Sequence, residues 1–311
     1  MNKEFEKICR MSQKSLKNHV KQRLQVTHGK AIVEDGFVYA QGKFPVLLVA
    51  HMDTVHHSLP SVIVYDETED VISSPQGIGG DDRCGVYAVF EILKKFNCSV
   101  LFTEDEEVGG VGARKFANSN LVSELDFNYI IEFDRANAND AVFYECANDE
   151  FEAFITLDFY KTAYGTYSDI CEVAPALGCA AVNLACGYYK AHTKDEYVVL
   201  SEMEASIQAA CAILERTTES DKFEYVEDEE RSLRYYGGYK GCYDYDYDVA
   251  MESYYAQKYY TIEYVNVYGA TEWYDTYARS KAEAIGHFVM DKPNMTYDNI
   301  IDVCSQDLYE Y

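Results

Sequence analysis

The chain has 311 residues, enough for one large domain with a sizeable core and a small unit beside it. Its 53 acidic residues against 27 basic ones leave a net charge of −26, which argues against non-specific binding to nucleic acid or to an anionic membrane surface. Ten cysteines without a C-x-x-C pair, an N-terminus lacking the apolar core of a signal peptide, and no apolar run of bilayer-spanning length point to a soluble, cytoplasmic protein with free thiols.

Residues 3–24 place Phe5, Ile8, Met11, Leu16, Val20 and Leu24 at roughly helical spacing among basic residues, which predicts an amphipathic helix packed by one face on the domain. Ala31–Gln41 alternates apolar and polar residues around Asp35-Gly36, a hairpin signal. A buried strand, Phe44–Ala50, follows and ends in His51-Met52-Asp53. Ser61–Ser74 reads as a second β excursion, and Pro75–Gly80 as a glycine-rich loop that delivers GGDDRCGV (Gly79–Val86) and a helix to about Phe96. Next come a strand at Ser99–Thr103, the stretch EDEEVGGVGA (Glu104–Ala113), a helix from about Ala113, and a strand at Phe127–Phe133 that ends at Asp134-Arg135. Ala180–Cys186 is a further strand leading into GYYKAHTKDEY, and Ser201–Arg216 is a helix. Strands alternating with helices predict an α/β fold, a three-layer sandwich with a mostly parallel mixed sheet. In such sheets ligands gather at the carboxyl ends of the strands, where His51, Glu106, Glu107 and Asp134 stand.

From about Glu219 the composition shifts to acidic clusters and tyrosine. Residues 219–258 read as a linker or surface-laid segment, and 259–311 as a small α+β module with a strand at YYTIEYVNVY, a helix around Glu272–Val289 and a strand at Asn299–Val303. The expected organisation is therefore a catalytic domain over residues 1–218, a segment over 219–258, and the C-terminal module, which could partly cover the cleft.

The chemistry starts at His51. Residues two apart on a strand project to the same side, so Asp53 can hold one ring nitrogen of His51 while the other binds a metal. Strand ends gather Asp81, Glu106, Glu107 and Asp134 near His51 and His192, and that many carboxylates in a partly desolvated cleft need cations to neutralise them. Two divalent metals would do so. The mixture of His and carboxylate donors suits two zinc ions best, with manganese or cobalt able to replace them.

HMDTV, GGDDRCG, DEEVGGVGA, EFDR and AHTKDEY, in that order, resemble the motifs of the co-catalytic di-zinc exopeptidase superfamily, which includes peptidase T, carboxypeptidase G and the compact leucyl aminopeptidases. The resemblance spans about residues 44–217. It implies that His51 binds one zinc and is oriented by Asp53, and that Asp81 bridges both ions ahead of a peptide bond that is often cis. It further implies that Glu106 is the general base acting on a water activated by the two zincs, that Glu107 and His192 hold the second ion, and that Asp134 completes the shell of the first. Adjacent side chains of an extended segment diverge, which would separate the roles of Glu106 and Glu107. Thr166–Asp169 resembles the family's pocket-lining loop, and Tyr164, Tyr167, Tyr188 and Tyr189 are candidates for an oxyanion-stabilising hydroxyl. His19, His28, His56, His57 and His287 match no motif position.

The intervals between His51 and Asp81 and between Asp134 and His192 leave no room for an inserted lid domain. With Asp rather than Glu at position 134, the resemblance implies an aminopeptidase acting on small peptides. A deacylase or amidohydrolase of N-acyl amino acids is the alternative enzyme, and an inactive binding module the alternative class. The expected partner is a small peptide substrate, with neither nucleic acid nor membrane, and a homo-oligomer is compatible with the sequence.

Overall fold

The structure, a computed structural model, describes residues 3–228, 258–278 and 299–306, with positions 288, 291, 292, 294 and 295 between them. Two units divide the chain, Met1–Leu233 and Arg234–Tyr311.

The first unit is built on β3 (Phe44–His51), the strand whose central residues are apolar at every position. Strand geometry sends Val46, Leu48 and Ala50 to one side and Leu47 and Val49 to the other. Both sets are fully buried, in separate core clusters, so helices cover both faces. On one face lie α1 (Lys3–Cys9), α2 (Gln13–His28), α3 (Gly80–Ile92), α5 (Asp149–Ile155) and α7 (Leu200–Arg216); on the other lie α4 (Val111–Ala117) and α6 (Ile170–Leu177). Each fully buried Leu or Val of β3 contributes about 1.5–3 kcal/mol of hydrophobic free energy.

Eight strands form the sheet, in the order β1-β2-β6-β3-β7-β10-β8-β9. The centre is parallel: β6 (Cys98–Thr103), β3, β7 (Tyr129–Arg135) and β10 (Ala181–Ala185) run in one direction. At one edge β1 (Ile32–Glu34) and β2 (Phe37–Ala40) form the hairpin expected around Asp35-Gly36, and β2 pairs antiparallel to β6. Beyond β10 come the short strands β8 (Asp140–Val142) and β9 (Lys161–Ala163). A small second sheet, β11-β12-β5-β4, contains β4 (Val64–Asp66), β5 (Val71–Ser73), β11 (Tyr188–Tyr189) and β12 (Tyr197–Val199).

Three sequence expectations are corrected. The N-terminal helix is two helices, because Ser12 adopts extended geometry (φ −65°, ψ 156°) and its hydroxyl caps α2 by accepting from the Ser15 N–H. The break lets Arg10 donate to the carbonyls of Pro60 and Ser61, and Met11 offer its carbonyl to Arg83. Second, the helix expected around Glu272–Val289 is a strand over its first part, since β14 (Thr271–Ala278) pairs residue by residue with β13 (Lys258–Val265); of its remainder, only Phe288 is among the described residues. Third, Glu106 and Glu107 lie in a turn rather than on an extended segment, with the Glu106 carbonyl accepting from Gly109 and Gly110.

The described part of the stretch expected as a linker, residues 219–228, lies along the first unit, where Phe223, Tyr225 and Val226 exchange backbone hydrogen bonds with Asn128, Ala180, Gly178 and Ala147. In the second unit β15 (Ile300–Gln306) joins the β13-β14 hairpin on the open side of β13, and Tyr260, Ile262, Tyr264, Phe288, Met295 and Val303 form its core. Among the described residues no helix is long and apolar enough to cross a membrane.

Candidate active site

Because β6, β3 and β7 are parallel and nearly in register, their carboxyl ends open on one rim, with His51 opposite Thr103. His51 is fully buried there. Its Nδ1 lies 3.2 Å from Asp53 Oδ1, which fixes the ring and leaves Nε2 facing the cleft, 3.0 Å from Asp81 Oδ1 and 3.4 Å from Asp134 Oδ1. Asp53 also reaches the next strand's loop, where its two oxygens accept the N–H groups of Glu106 and Glu107, each at 3.1 Å. One carboxylate thereby holds both the imidazole and the turn carrying the two glutamates.

Asp81 stands where the glycine-rich loop enters α3. The helix is regular only after Asp82, for Asp81 (φ −81°, ψ 105°) and Asp82 (φ −115°, ψ 45°) are not helical, and the bond between them is cis. Asp82 ties the strand to the helix, accepting the His51 N–H at 3.1 Å and the Gly85 N–H at 2.8 Å. On the far side His192, a non-glycine residue at φ 63°, sets its Nε2 3.1 Å from Asp81 Oδ2 and 3.0 Å from Glu107 Oε2. Left-handed backbone costs an L-residue about 1–2 kcal/mol. The His192 ring is 51 % exposed, so the cleft opens to solvent on that side.

All seven residues singled out in the sequence meet here. His51, Asp81 and Asp134 form one group whose donor atoms lie within 4.8 Å of one another; Asp81, Glu107 and His192 form a second; His51, Glu106 and Glu107 form a third. Asp81 belongs to the first two through different oxygens.

The electrostatics fit a need for cations. Burial, and then the Asp134 charge, push the Glu106 carboxyl up to about 9. Burial and the Asp81 charge push Asp134 up to about 7. Hydrogen bonds to Asp81 and Glu107 push the His192 imidazole up to about 11. Burial alone would lower His51, but the carboxylates of Asp134, Asp53 and Asp81 outweigh it and raise the ring well above its ordinary value. Without metal ions, protons on the imidazoles and carboxyls supply counter-charge in this cluster. Among the described residues Glu107 Oε1 is buried with no hydrogen-bond partner, a free ligand atom facing the cluster. Two imidazole nitrogens and three carboxylates, in two groups sharing Asp81, make a donor set suited to a pair of divalent ions of the zinc type.

Sequence reasoning did not find what supports these residues from beneath. Ser168, at the bottom of the Thr166–Asp169 loop, is buried and bonds to both Glu132 and Asp134, at 3.1 Å from Asp134 Oδ2, and Asn183 Nδ2 donates to the Asp134 carbonyl at 2.7 Å. Asp169, also buried, accepts from Thr103 at the end of β6. The loop is thus a foundation under Asp134. Among the four candidate tyrosines, Tyr188 brings its hydroxyl to a site carboxylate, 3.3 Å from Asp134 Oδ1, whereas Tyr189 bonds Glu202 and Tyr167 approaches Glu172. His56, which matches no motif position, lies 2.7 Å from the buried Glu196. The presence of Asp82 and Glu196 inside the GGDDRCG and AHTKDEY motifs was the available signal for both.

No protein-family model matches the sequence, and no curated protein matches it. Among solved structures the chain is similar to the aminopeptidase PepT from Bacillus cereus, at 14% identity over 68% of this chain and 96% of that one, with a TM-score of 0.51. It is similar also to a tripeptidase from Staphylococcus aureus, at 12% identity over 68% and 95% with a TM-score of 0.53, and to an aminopeptidase from the archaeon Desulfurococcus kamchatkensis, at 15% identity over 72% and 98% with a TM-score of 0.54. The likeness establishes the fold: an α/β sandwich of the kind these peptidases have.

Proposed function

We propose that the chain is a metal-dependent hydrolase of peptide bonds, acting as an aminopeptidase on small peptides. The observation that carries this reading is the sharing of Asp81 between two donor groups, His51 and Asp134 on one side and Glu107 and His192 on the other. Two zinc ions held there would supply Lewis acidity, making a water more acidic at neutral pH and polarising the scissile carbonyl.

The chain's own residues would do the rest. Glu106, which stands in the third donor group beside His51 and Glu107, takes the proton of the attacking water and returns it to the leaving amine. Asp53 keeps Glu106 in place through the backbone N–H and at the same time fixes the His51 ring. Tyr188 and Ser168 orient Asp134. The surplus of carboxylate oxygens around the cleft suits the ammonium group of a free N-terminus, and the likeness of the fold to two aminopeptidases and a tripeptidase supports the same substrate class.

The test is mass-spectrometric cleavage of a peptide library, half with free and half with acetylated N-termini, with and without a chelator, by the wild type and by Glu106→Gln. Loss of single N-terminal residues from the free peptides, abolished by the chelator and reduced at least about 100-fold by Glu106→Gln while metal content is retained, is the expected outcome. Release of acetyl groups instead would make the protein a deacylase. No cleavage by the fully metal-loaded chain would make it a binding module, and full activity of Glu106→Gln would remove Glu106 as the base.

A further inference from the structure

Asp81 is gripped from two directions by one short segment. The connection from β11 to β12 carries His192, whose Nε2 is 3.1 Å from Asp81 Oδ2, and four residues later Glu196, whose Oε1 accepts the Asp81 backbone N–H at 2.9 Å. Glu196 Oε2 accepts the Gly79 N–H at 2.8 Å, so its two oxygens straddle the Gly79–Asp81 loop. Glu196 is fully buried, and among the described residues its carboxylate also meets His56 Nε2, 2.7 Å from Oε2. The loop has no slack: a Cβ on Gly80 would meet Tyr188 Cβ and Val198 Cγ2 at 2.9 Å.

We propose that Glu196, seated by His56, is a positioning residue that sets the distance between Asp81 and His192 and so controls the second ion-binding group, Asp81, Glu107 and His192, more than the first. The inference rests on the metal-dependent reading above. A buried carboxylate used only to close a loop would touch backbone donors anywhere along it; this one takes the N–H of the shared residue itself and is tied by four residues of chain to the opposing imidazole. The first group shares Asp81 but takes its other two donors, His51 and Asp134, from β3 and β7, whereas the second pairs Asp81 with His192 of the same segment as Glu196.

The experiment is a Co2+ titration of the full-length, chelator-stripped chain, read by visible absorption and by bound cobalt after desalting. The wild type is expected to take up two ions. Glu196→Gln keeps one acceptor but sets an amide N–H2 against the other backbone N–H; it is expected to hold the first ion within about 3-fold of the wild type and the second about 10–100-fold more weakly. His56→Ala should shift the second ion in the same direction, and His56→Gln, which restores a donor to Glu196, should recover it. Two wild-type affinities in both Glu196→Gln and His56→Ala, or equal weakening of both ions, would overturn the proposal. Should Glu196→Gln fail to fold, an unchanged second ion in His56→Ala would overturn it alone. A wild type that binds no cobalt would sink the metal-dependent reading and this inference with it, an outcome distinct from a variant that behaves as the wild type does.

Discussion

Replacing Asp53 with Asn separates what its charge and second oxygen do from what its shape does. In the folded chain Oδ1 faces the His51 Nδ1 at 3.2 Å and the Glu106 N–H at 3.1 Å, and Oδ2 takes the Glu107 N–H at 3.1 Å. Burial works against the ionised form, but the hydrogen bond and charge of His51 and the two backbone N–H groups outweigh it and hold the carboxyl below its usual range. An asparagine has one acceptor oxygen, so whichever way the amide turns an N–H2 is set against a backbone N–H. Turned to keep His51 and Glu106, it loses Glu107. A hydrogen bond to a charged acceptor is worth about 1.5–3 kcal/mol. At 1.36 kcal/mol per decade that is about 10–150-fold, and losing an outer partner of a ligating His independently suggests about 10–100-fold in metal affinity.

We therefore expect Asp53→Asn to weaken zinc binding by about 10–100-fold in calorimetric titration of the chelator-stripped chain. The metal-free protein should respond differently, because the substitution removes one negative charge from a cleft that already holds Asp81, Asp134, Glu106 and Glu107. The midpoint of thermal unfolding should fall less without zinc than with it. An affinity within twofold of the wild type, or equal falls with and without zinc, would refute the assignment of Asp53 as the residue that orients His51 and the Glu106–Glu107 turn.

Three further outcomes follow from other parts of the first unit. Burial, then the charges of Lys7 and Arg23, lower the His19 imidazole below its ordinary value, and among the described residues its Nε2 is buried without a hydrogen-bond partner. With the folded value below the unfolded value of about 6.5, stability is intact above that pH and lost as pH falls through the folded value; wild type should lose stability relative to His19→Gln between about pH 7 and 5, and a pH-independent difference would contradict this. Gly112→Ala would drive a Cβ against the carbonyl oxygens of Gly36 and Glu104, so chemical denaturation should show a loss of about 1–3 kcal/mol, and an unchanged midpoint would show that the hairpin can move aside. Ser168→Ala removes the hydroxyl shared by the buried Glu132 and Asp134 and should cost about 1–3 kcal/mol in the metal-free protein, with a stability equal to wild type as the disproof.

Where the sequence was readable, one residue type in one place had a chemical consequence that survives without knowledge of packing. β3 announces itself because every position from Val46 to Ala50 is apolar, and only a strand covered on both faces buries all of them. His51, Asp81, Glu106, Glu107, Asp134 and His192 announce themselves because their donors have few other reasons to recur after strands in that order, and the parallel sheet then collects them on one rim. The strands β8 and β9 have three residues each, too few to display a period, and α6 carries Pro175, which hides a helical pattern. β14 was misread because Trp273 and Tyr274 are adjacent: one faces solvent, 64 % exposed, and the other packs against the core, so the aromatic pair masks the alternation.

The supporting residues were hidden for a different reason. Asp82, Glu196, Ser168 and Asn183 act mainly on backbone N–H and C=O groups or on other side chains that approach from elsewhere in the chain: Asp82 on His51 N–H, Glu196 on Gly79 and Asp81 N–H, and Asn183 on the Asp134 carbonyl. Every residue but proline offers the same N–H, so a sequence carries no mark of which one a distant carboxylate will accept. Ligand donors are chosen by element chemistry and are legible as residue types; their supports are chosen by backbone geometry and become legible only once the loop between β5 and α3 has been folded against the start of β12. That asymmetry is a physical reason to expect the supports to set affinity differences between sites with identical ligands, since a change in the spacing of Asp81 and His192 alters one donor group more than the other without changing a single donor.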